Sequence, residues 1–180
     1  MIILETGRLR LREMDMNDVE NLQRIFSDPE AMRYYPKTKT VEETEEWIRW
    51  NLLSYRVYGF GLWIAVFKET GAFAGQCGLV MQRVDDEPEI EIGYLFLRQY
   101  WGQGLATEAA RACRDYGANR VGHNRLGYTR LISLIDPHNL ASKRVAKKIG
   151  MTLEKETIMF DKRLEVYAFE FVEQTLDSCD

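Results

Sequence analysis

Apolar residues come along this chain in short runs whose period switches between that of a helix and that of a strand. Leu9-Arg10-Leu11-Arg12 alternates as a half-exposed strand does. Asn17-Asp18 then opens a helix with Val19, Leu22, Ile25 and Phe26 on one face, and Asp28-Pro29 ends it. Ala31 to Lys39, carrying Tyr34-Tyr35-Pro36, has no helical period and reads as an exposed loop. Thr40 and Glu43 make a capping box ahead of a helix striped by Trp47, Ile48, Leu52 and Tyr55. From Phe60 the pattern becomes that of strands: Phe60 to Phe67, a turn at Glu69-Thr70-Gly71, and Ala72 to Gln82, paired as a hairpin. Asp85-Asp86-Glu87-Pro88 is an acidic turn before a strand from Glu89 to Leu97.

Leu105, Ala109, Ala112 and Tyr116 repeat at helical spacing, so the next helix packs one face on the sheet. A loop from Gly122 to Thr129 leads to a strand from Arg130 to Ile135 and a helix from Leu140 to Ile149, closed by Gly150. Leu153 to Phe160 and Arg163 to Val172, joined by Asp161-Lys162, form an antiparallel pair. The order β-α-α-β-β-β-α-β-α-β-β predicts an α/β (α+β) fold, a mixed, mostly antiparallel sheet of about seven strands with helices on both faces. No repeat, low-complexity run or long linker interrupts it, so residues 1–180 are expected to form a single domain.

With 180 residues, 46% of them hydrophobic, the chain can bury a full core. A net charge of −4 and a pI near 5.4 argue against a general nucleic-acid binder, and a cationic substrate suits this surface better. Cys77, Cys113 and Cys179 are odd in number and widely spaced, which suggests neither a disulfide framework nor a zinc site and fits a reducing cytoplasm. The opening Met-Ile-Ile-Leu-Glu-Thr is too short an apolar run for a signal peptide, and charges interrupt every later run. A soluble cytoplasmic protein with neither nucleic-acid nor membrane partner is the expectation. His123 reads as loop surface, and neither it nor His138 has the neighbours for a metal site.

Chemistry concentrates where the strand ending at Leu97 runs through Gln99-Tyr100-Trp101-Gly102-Gln103-Gly104 into Leu105-Ala106-Thr107. Glycines without Cβ let consecutive backbone N–H groups at a helix N-terminus point at an anion. A dinucleotide-binding turn would need Gly or Ala where Thr107 stands, and a nucleotide P-loop needs a Gly-Lys pair that occurs nowhere in the chain. A turn that needs glycine only for its shape is the plainer alternative. Downstream, Asn139 and Ser142 precede Val145, Ala146 and Ile149 on the helix that Gly150 closes. Asn139 is either a simple N-cap or a ligand contact, and Ser142 either bonds back to a carbonyl or faces a ligand.

Gln99, Gly102 and Gly104 meet the spacing Gln/Arg-x-x-Gly-x-Gly/Ala, which resembles the GNAT superfamily of acyl-CoA N-acyltransferases. Asn139-x-x-Ser142 with Val145, Lys148, Ile149, Gly150 and Met151 is similar to its RimJ/RimL-type branch, which acetylates protein N-terminal amines and other small amines. Leu4 to Arg12, Phe26 to Arg33 and Glu46-Trp47-Ile48 look like that branch too, so the resemblance covers nearly the whole chain. It implies a bulged strand, Glu89 to Leu97, splaying from Arg130 to Ile135 to leave a wedge for the pantetheine arm of CoA. The backbone of Leu95, Phe96 and Leu97 would hydrogen-bond that arm. The N–H groups of Gly102, Gln103, Gly104, Leu105, Ala106 and Thr107 would receive the pyrophosphate, and Asn139 and Ser142 would lie along the arm and near the sulfur. Lys143, Arg144, Lys147 and Lys148 are either a solvated basic face or include a contact to the adenosine phosphate.

Acyl transfer to an amine needs a base for the ammonium, whose pKa is near ~10, a polarised carbonyl, and a proton for the thiolate. On the strand, Glu89, Glu91, Gly93 and Leu95 face one way. Glu91 is the first candidate base. Glu89, on the substrate side, is the second, with a salt bridge to a neighbouring strand's Arg as its alternative. A backbone N–H of the splayed strand would polarise the carbonyl, and Ser142, or a tyrosine such as Tyr94 or Tyr167, would supply the proton. Tyr34 and Tyr35 would border the acceptor pocket, and Asp85-Asp86-Glu87 either draws in a cation or is an ordinary exposed turn.

The reading is an acetyl-CoA-dependent N-acetyltransferase acting through a ternary complex, with no metal and no covalent intermediate. Its acceptor would be a protein or peptide N-terminus, or else a small amine such as a polyamine or an aminoglycoside-like drug. A CoA-binding sensor or scaffold without catalysis is the reading from a different class. Trp50 and Tyr58 lie in the core or under a partner, leaving monomer and homodimer both open.

Overall fold

A computed structural model describes residues 1–120, 128–159 and 161–171. The expected loop from 122 lies largely outside these residues, as do His123, Phe160, Val172 and Cys179. The strands are β1 Ile2–Glu5, β2 Leu9–Arg12, β3 Leu62–Phe67, β4 Phe73–Val84, β5 Glu87–Phe96, β6 Arg130–Ile135, β7 Thr152–Met159 and β8 Lys162–Glu170. The helices are α1 Val19–Phe26, α2 Val41–Tyr58, α3 Leu105–Arg120 and α4 Leu140–Lys148. All eight strands share one sheet, in the order β1-β2-β3-β4-β5-β6-β8-β7, so the expected sheet gains a strand at its N-terminal edge. Ile2–Glu5, which opens on an apolar run without alternation, shows no strand period, and it is held by antiparallel pairing to β2.

The helices divide between the two faces. Leu22, Ile25 and Phe26 of α1 and Ile48 of α2 pack with Leu62, Ile64 and Val80 on one face. Leu105, Ala109 and Cys113 of α3 and Ala146 of α4 pack with Cys77, Leu79, Ile90 and Ile92 on the other. Cys113 rather than Ala112 carries the buried stripe of α3. Gly117 lets that helix close on β6, since a Cβ there would stand 2.7 Å from Leu131 Cδ1. Trp50 and Tyr58 lie on the exposed side of α2 with Leu53 and Val57. No helix among the described residues is long and apolar enough to cross a membrane.

Two features position the site. Asp85 and Asp86, at φ 50° and 67°, form a two-residue turn of the type whose twist matches paired strands, so Glu87 and Pro88 belong to β5 and not to a longer acidic turn. Asp85 is held by Lys155 at 2.7 Å and Thr157 at 2.6 Å. The other feature is the parallel pair β5/β6, which registers only at Glu91 and Ile132 before the strands part. The β4/β5 register runs without a shift from Val84/Glu87 to Gly75/Phe96, so no bulge accompanies the splay, contrary to expectation.

Candidate active site

Side chains bridge the mouth of the gap between β5 and β6 where backbone pairing stops. Ser133 Oγ donates to the Ile92 carbonyl at 3.0 Å, and the Leu134 N–H donates to Glu91 Oε1 at 3.4 Å. Gln82 Nε2 donates to Glu91 Oε2 at 2.9 Å. Burial pushes the Glu91 carboxyl up to about 7, and these two donors only partly oppose it. A carboxyl poised there is matched to proton abstraction at neutral pH.

Pairing also decides which backbone groups of β5 are free. Leu97 N–H donates to the Ala74 carbonyl at 2.9 Å, and in an antiparallel ladder bonded residues alternate, so Leu95 likewise faces β4. Tyr94 and Phe96 face the open edge, with the Phe96 carbonyl taken by Trp101 Nε1 at 2.9 Å. The backbone groups of Leu95 and Leu97, expected along the cofactor arm, are thus turned to β4, and those on the open edge belong to Tyr94 and Phe96. Leu95 contributes its side chain, and Leu97 is buried on the α1/α2 face.

Beyond β5 the chain passes through Gly102 and Gly104, at φ 76° and 78°, into α3. No protein acceptor among the described residues takes the N–H groups of residues 102 to 107; the first helical bond is Glu108 N–H to the Gly104 carbonyl at 3.0 Å. Six consecutive donors at the positive end of a helix dipole form a cradle for an anion. Gln99 and Gln103 do not line the groove; Gln103 Nε2 bonds the Gln99 carbonyl at 3.2 Å. The cradle is clamped from the β1/β2 turn. Glu108 Oε1 accepts from Arg8 N–H at 2.8 Å and Thr6 Oγ1 at 2.6 Å, Oε2 accepts from Arg8 Nε at 2.7 Å, and Arg8 Nη1 reaches the Gln103 carbonyl at 3.0 Å. Partial burial alone raises the Glu108 carboxyl, but these hydrogen bonds outweigh it and hold the group below its ordinary value.

Two cavities meet at the gap. One, of about 380 Å³, runs from the glycine loop along β5 and α4 and includes Ala141, Arg144 and Lys148. The other, of about 320 Å³, lies toward α1 and α2 and includes Phe26, Trp47, Gln76, Gln82 and Glu91. Tyr34, Tyr35, Tyr94, Leu95, Asn139 and Ser142 line both. Tyr34 spans the junction, its hydroxyl donating to the His138 carbonyl at 3.1 Å and its carbonyl accepting from Lys162 Nζ at 3.0 Å. Asn139 Oδ1 caps α4 at Ser142 N–H, 3.0 Å away, which leaves its amide N–H groups for the cavities. The Tyr94 hydroxyl donates to the Ser142 carbonyl at 3.1 Å, and its burial raises its pKa further above the ordinary tyrosine value. Ser142 Oγ has no protein partner among the described residues.

Several expected residues stand elsewhere. Glu89 lines neither cavity: its carboxylate accepts from Arg130 Nη2 and, at 3.3 Å, from Arg130 Nε, on the strand next door. Tyr167 is buried and lines neither cavity. Lys143 turns away to Glu165 at 2.8 Å, while Arg144 and Lys148 face the groove that runs to the glycine loop. Reasoning from sequence missed Gln82, although a two-residue turn at Asp85-Asp86 pairs Val80 with Glu91 and sets Gln82 diagonal to it. It also missed Trp47 as a cavity wall, and the clamp of Thr6, Arg8 and Glu108, which pairs residues a hundred positions apart.

Among the described residues no cluster of His, Cys, Asp and Glu is placed to hold a metal. The family model described as an acetyltransferase (GNAT) domain matches residues 8–152. The chain is 46% identical to YkkB of Bacillus subtilis (strain 168) over 165 residues, 91% of this chain and 93% of that one. It is 31% identical to the N-acetyltransferase p20 of Bacillus licheniformis over 184 residues, 97% of this chain and 98% of that one. Among solved structures, RimL, a ribosomal L7/L12 alpha-N-protein acetyltransferase in complex with coenzyme A, has the same fold, with a TM-score of 0.70 at 22% identity, covering 95% of this chain and 98% of that one. A splayed β5/β6 pair, a glycine-bounded cradle of N–H groups and a match over most of the sequence converge on one conclusion: the chain belongs to the GNAT acetyltransferase family.

Proposed function

We propose that this enzyme moves an acetyl group from acetyl-CoA to a primary amine, the two bound together at the gap between β5 and β6. The observation that carries the reading is the meeting of two cavities there, one ending at the unpaired N–H groups of Gly102 and Gly104 to Thr107 and the other containing Glu91. The N–H groups of residues 102 to 107 hold the pyrophosphate, with Arg144 or Lys148 near the adenosine phosphate. Tyr94, the Phe96 N–H and the Asn139 amide hydrogen-bond the pantetheine arm. RimL binding coenzyme A in the same fold supports this placement.

Glu91 takes the ammonium proton, directly or through a water, and the free amine attacks the thioester carbon. The Tyr94 N–H polarises the carbonyl oxygen. As the N–C bond forms and the C–S bond breaks, Ser142 Oγ donates a proton to the departing thiolate and regains one from the attacking nitrogen, while Glu91 releases its proton to solvent. A peptide N-terminal amine is the leading acceptor, in line with the substrate named for RimL. A cytoplasmic setting belongs to the same reading, because Cys77 and Cys113 are unbonded thiols with sulfurs 3.5 Å apart. The test is release of CoA thiol from acetyl-CoA across N-terminal peptides and small amines. Amine-dependent release that falls on Glu91→Gln supports the reading. Acetyl-CoA that protects the protein from unfolding but yields no thiol with any amine replaces it with a silent binding module.

A further inference from the structure

The acceptor-side cavity carries a charge pattern that narrows the amine. Resting on the acetyl-transfer reading above, we propose that the acceptor is a compact primary amine with one amino group, an apolar or aromatic body and one acidic group. Its amine sits at Glu91 and its acid at Lys39.

Two cations and two carboxylates line this cavity: Lys39 and Lys162 against Glu91 and Asp136. Asp136 and Lys162 face each other at 3.8 Å, and the Asp136 carboxylate also accepts from His138 N–H at 2.9 Å. Glu91 is spanned by Gln82 and Leu134, which leaves room for one ammonium group at most. A polyamine or an aminoglycoside would bring further cations into a space that has no free carboxylate for them, against Lys39.

Lys39 is the unpaired charge. It forms no ion pair among the described residues: the carboxylate that feels its charge, Glu43, is held by Lys37 at 2.5 Å, and the Lys39 ammonium lies 5.3 Å from the centre of the Trp47 ring and 5.9 Å from that of Phe26. A ring face attracts a cation but does not neutralise it, and Glu43 acts on Lys39 only at longer range, so an incoming anion gains a close pairing that no side chain supplies. On the same Trp47, Gln76 spends its carbonyl oxygen on Nε1 at 3.1 Å and keeps its amide N–H groups for the cavity it lines. Gln76 pairs with Leu95 and Val80 with Glu91, so four residues of β5, about 13 Å, separate the two ends. The wall between them is Phe26, Trp47, Leu62, Val80 and Leu95, which suits an apolar body of that length.

Three small probes test this: 4-(2-aminoethyl)benzoate, the same amine without its carboxylate, and spermidine. A peptide beginning Phe-Glu forms a fourth arm and separates a free small molecule from a polypeptide N-terminus as the source of the same chemistry. Thiol release and calorimetric binding to the CoA-saturated protein are both measured, for wild type, Lys39→Gln and Lys39→Arg. The benzoate or the peptide should lead in kcat/KM and affinity, with spermidine at least about tenfold behind. Lys39→Gln should lower the preference for the acid over the neutral amine about tenfold, and Lys39→Arg should restore most of it. Spermidine ahead of the others, or an acid preference unchanged in Lys39→Gln, overturns the proposal. Because binding is read apart from turnover, an acid-selective, Lys39-dependent affinity without thiol release supports the acceptor class while contradicting the transfer reading.

Discussion

Glu91 and Glu89 lie two residues apart on one strand face, yet their surroundings differ sharply. Glu91 looks into a cavity with two neutral donors, and its carboxyl is pushed up to about 7 by burial. Glu89 is covered and paired with Arg130. As a base, Glu91 must be deprotonated, so kcat/KM at saturating acetyl-CoA should rise with pH through about 7. Glu91→Gln should lower it about a hundredfold or more and remove that rise. Stability runs the other way. A carboxyl raised in the folded state holds a proton the unfolded chain has released, so its contribution falls as pH climbs from the ordinary carboxylate range to about 7. Glu91→Gln should therefore stabilise the fold above pH 7, by about 1–2 kcal/mol, as measured by denaturant unfolding at pH 8. Glu89→Gln should cost about 1–3 kcal/mol in the same measurement and leave kcat/KM unchanged. Loss of activity in a folded Glu89→Gln would return that residue to the site.

At the scale of elements, the donor side depends on how α3 is held. The Arg8 guanidinium and backbone, with Thr6, fix Glu108 in its first turn and tie the Gln103 carbonyl, so the N–H groups face the groove before any anion arrives. Arg8→Ala should raise KM for acetyl-CoA about three- to tenfold with little change in kcat, read from initial rates with acetyl-CoA varied. The glycine loop and α4 were legible in the sequence because glycine spacing and an N-cap are local signals. The clamp was not, since it joins a turn at the start of the chain to a helix in its second half. The hairpin shows a subtler failure. Reading Asp85 to Pro88 as one acidic turn lost the strand register, and with it Gln82, the donor to Glu91. The stripe of α3 was displaced by one residue because alanines on both flanks hide the edge of its apolar face.

Across the whole molecule the sheet separates two cores and joins them at one break. Helices α3 and α4 cover the face that carries the donor-side groove, and α1 and α2 cover the face with the acceptor-side cavity. Helix placement could be read from periodicity, but the edge strand β1 could not, because Ile2-Ile3-Leu4 is an unbroken apolar run without the alternation that marks β2. The splay itself has no residue signature. It appears only as a parallel pair that stops after Glu91 and Ile132 while the antiparallel partner of β5 continues to Phe96. Acetyl-CoA filling that edge should stabilise the fold by about 2–4 kcal/mol at a hundred- to thousandfold excess over its Kd, seen as a rise in Tm that Gly104→Glu abolishes. The most direct measurement is a crystal structure with a bisubstrate analogue, a primary amine joined through an acetyl bridge to the sulfur of CoA. The account predicts the bridge between β5 and β6, its carbonyl oxygen within hydrogen-bond distance of the Tyr94 N–H and its nitrogen on the Glu91 side. An analogue that leaves this gap closed and carries its amine outside the cavity of Glu91 would contradict it.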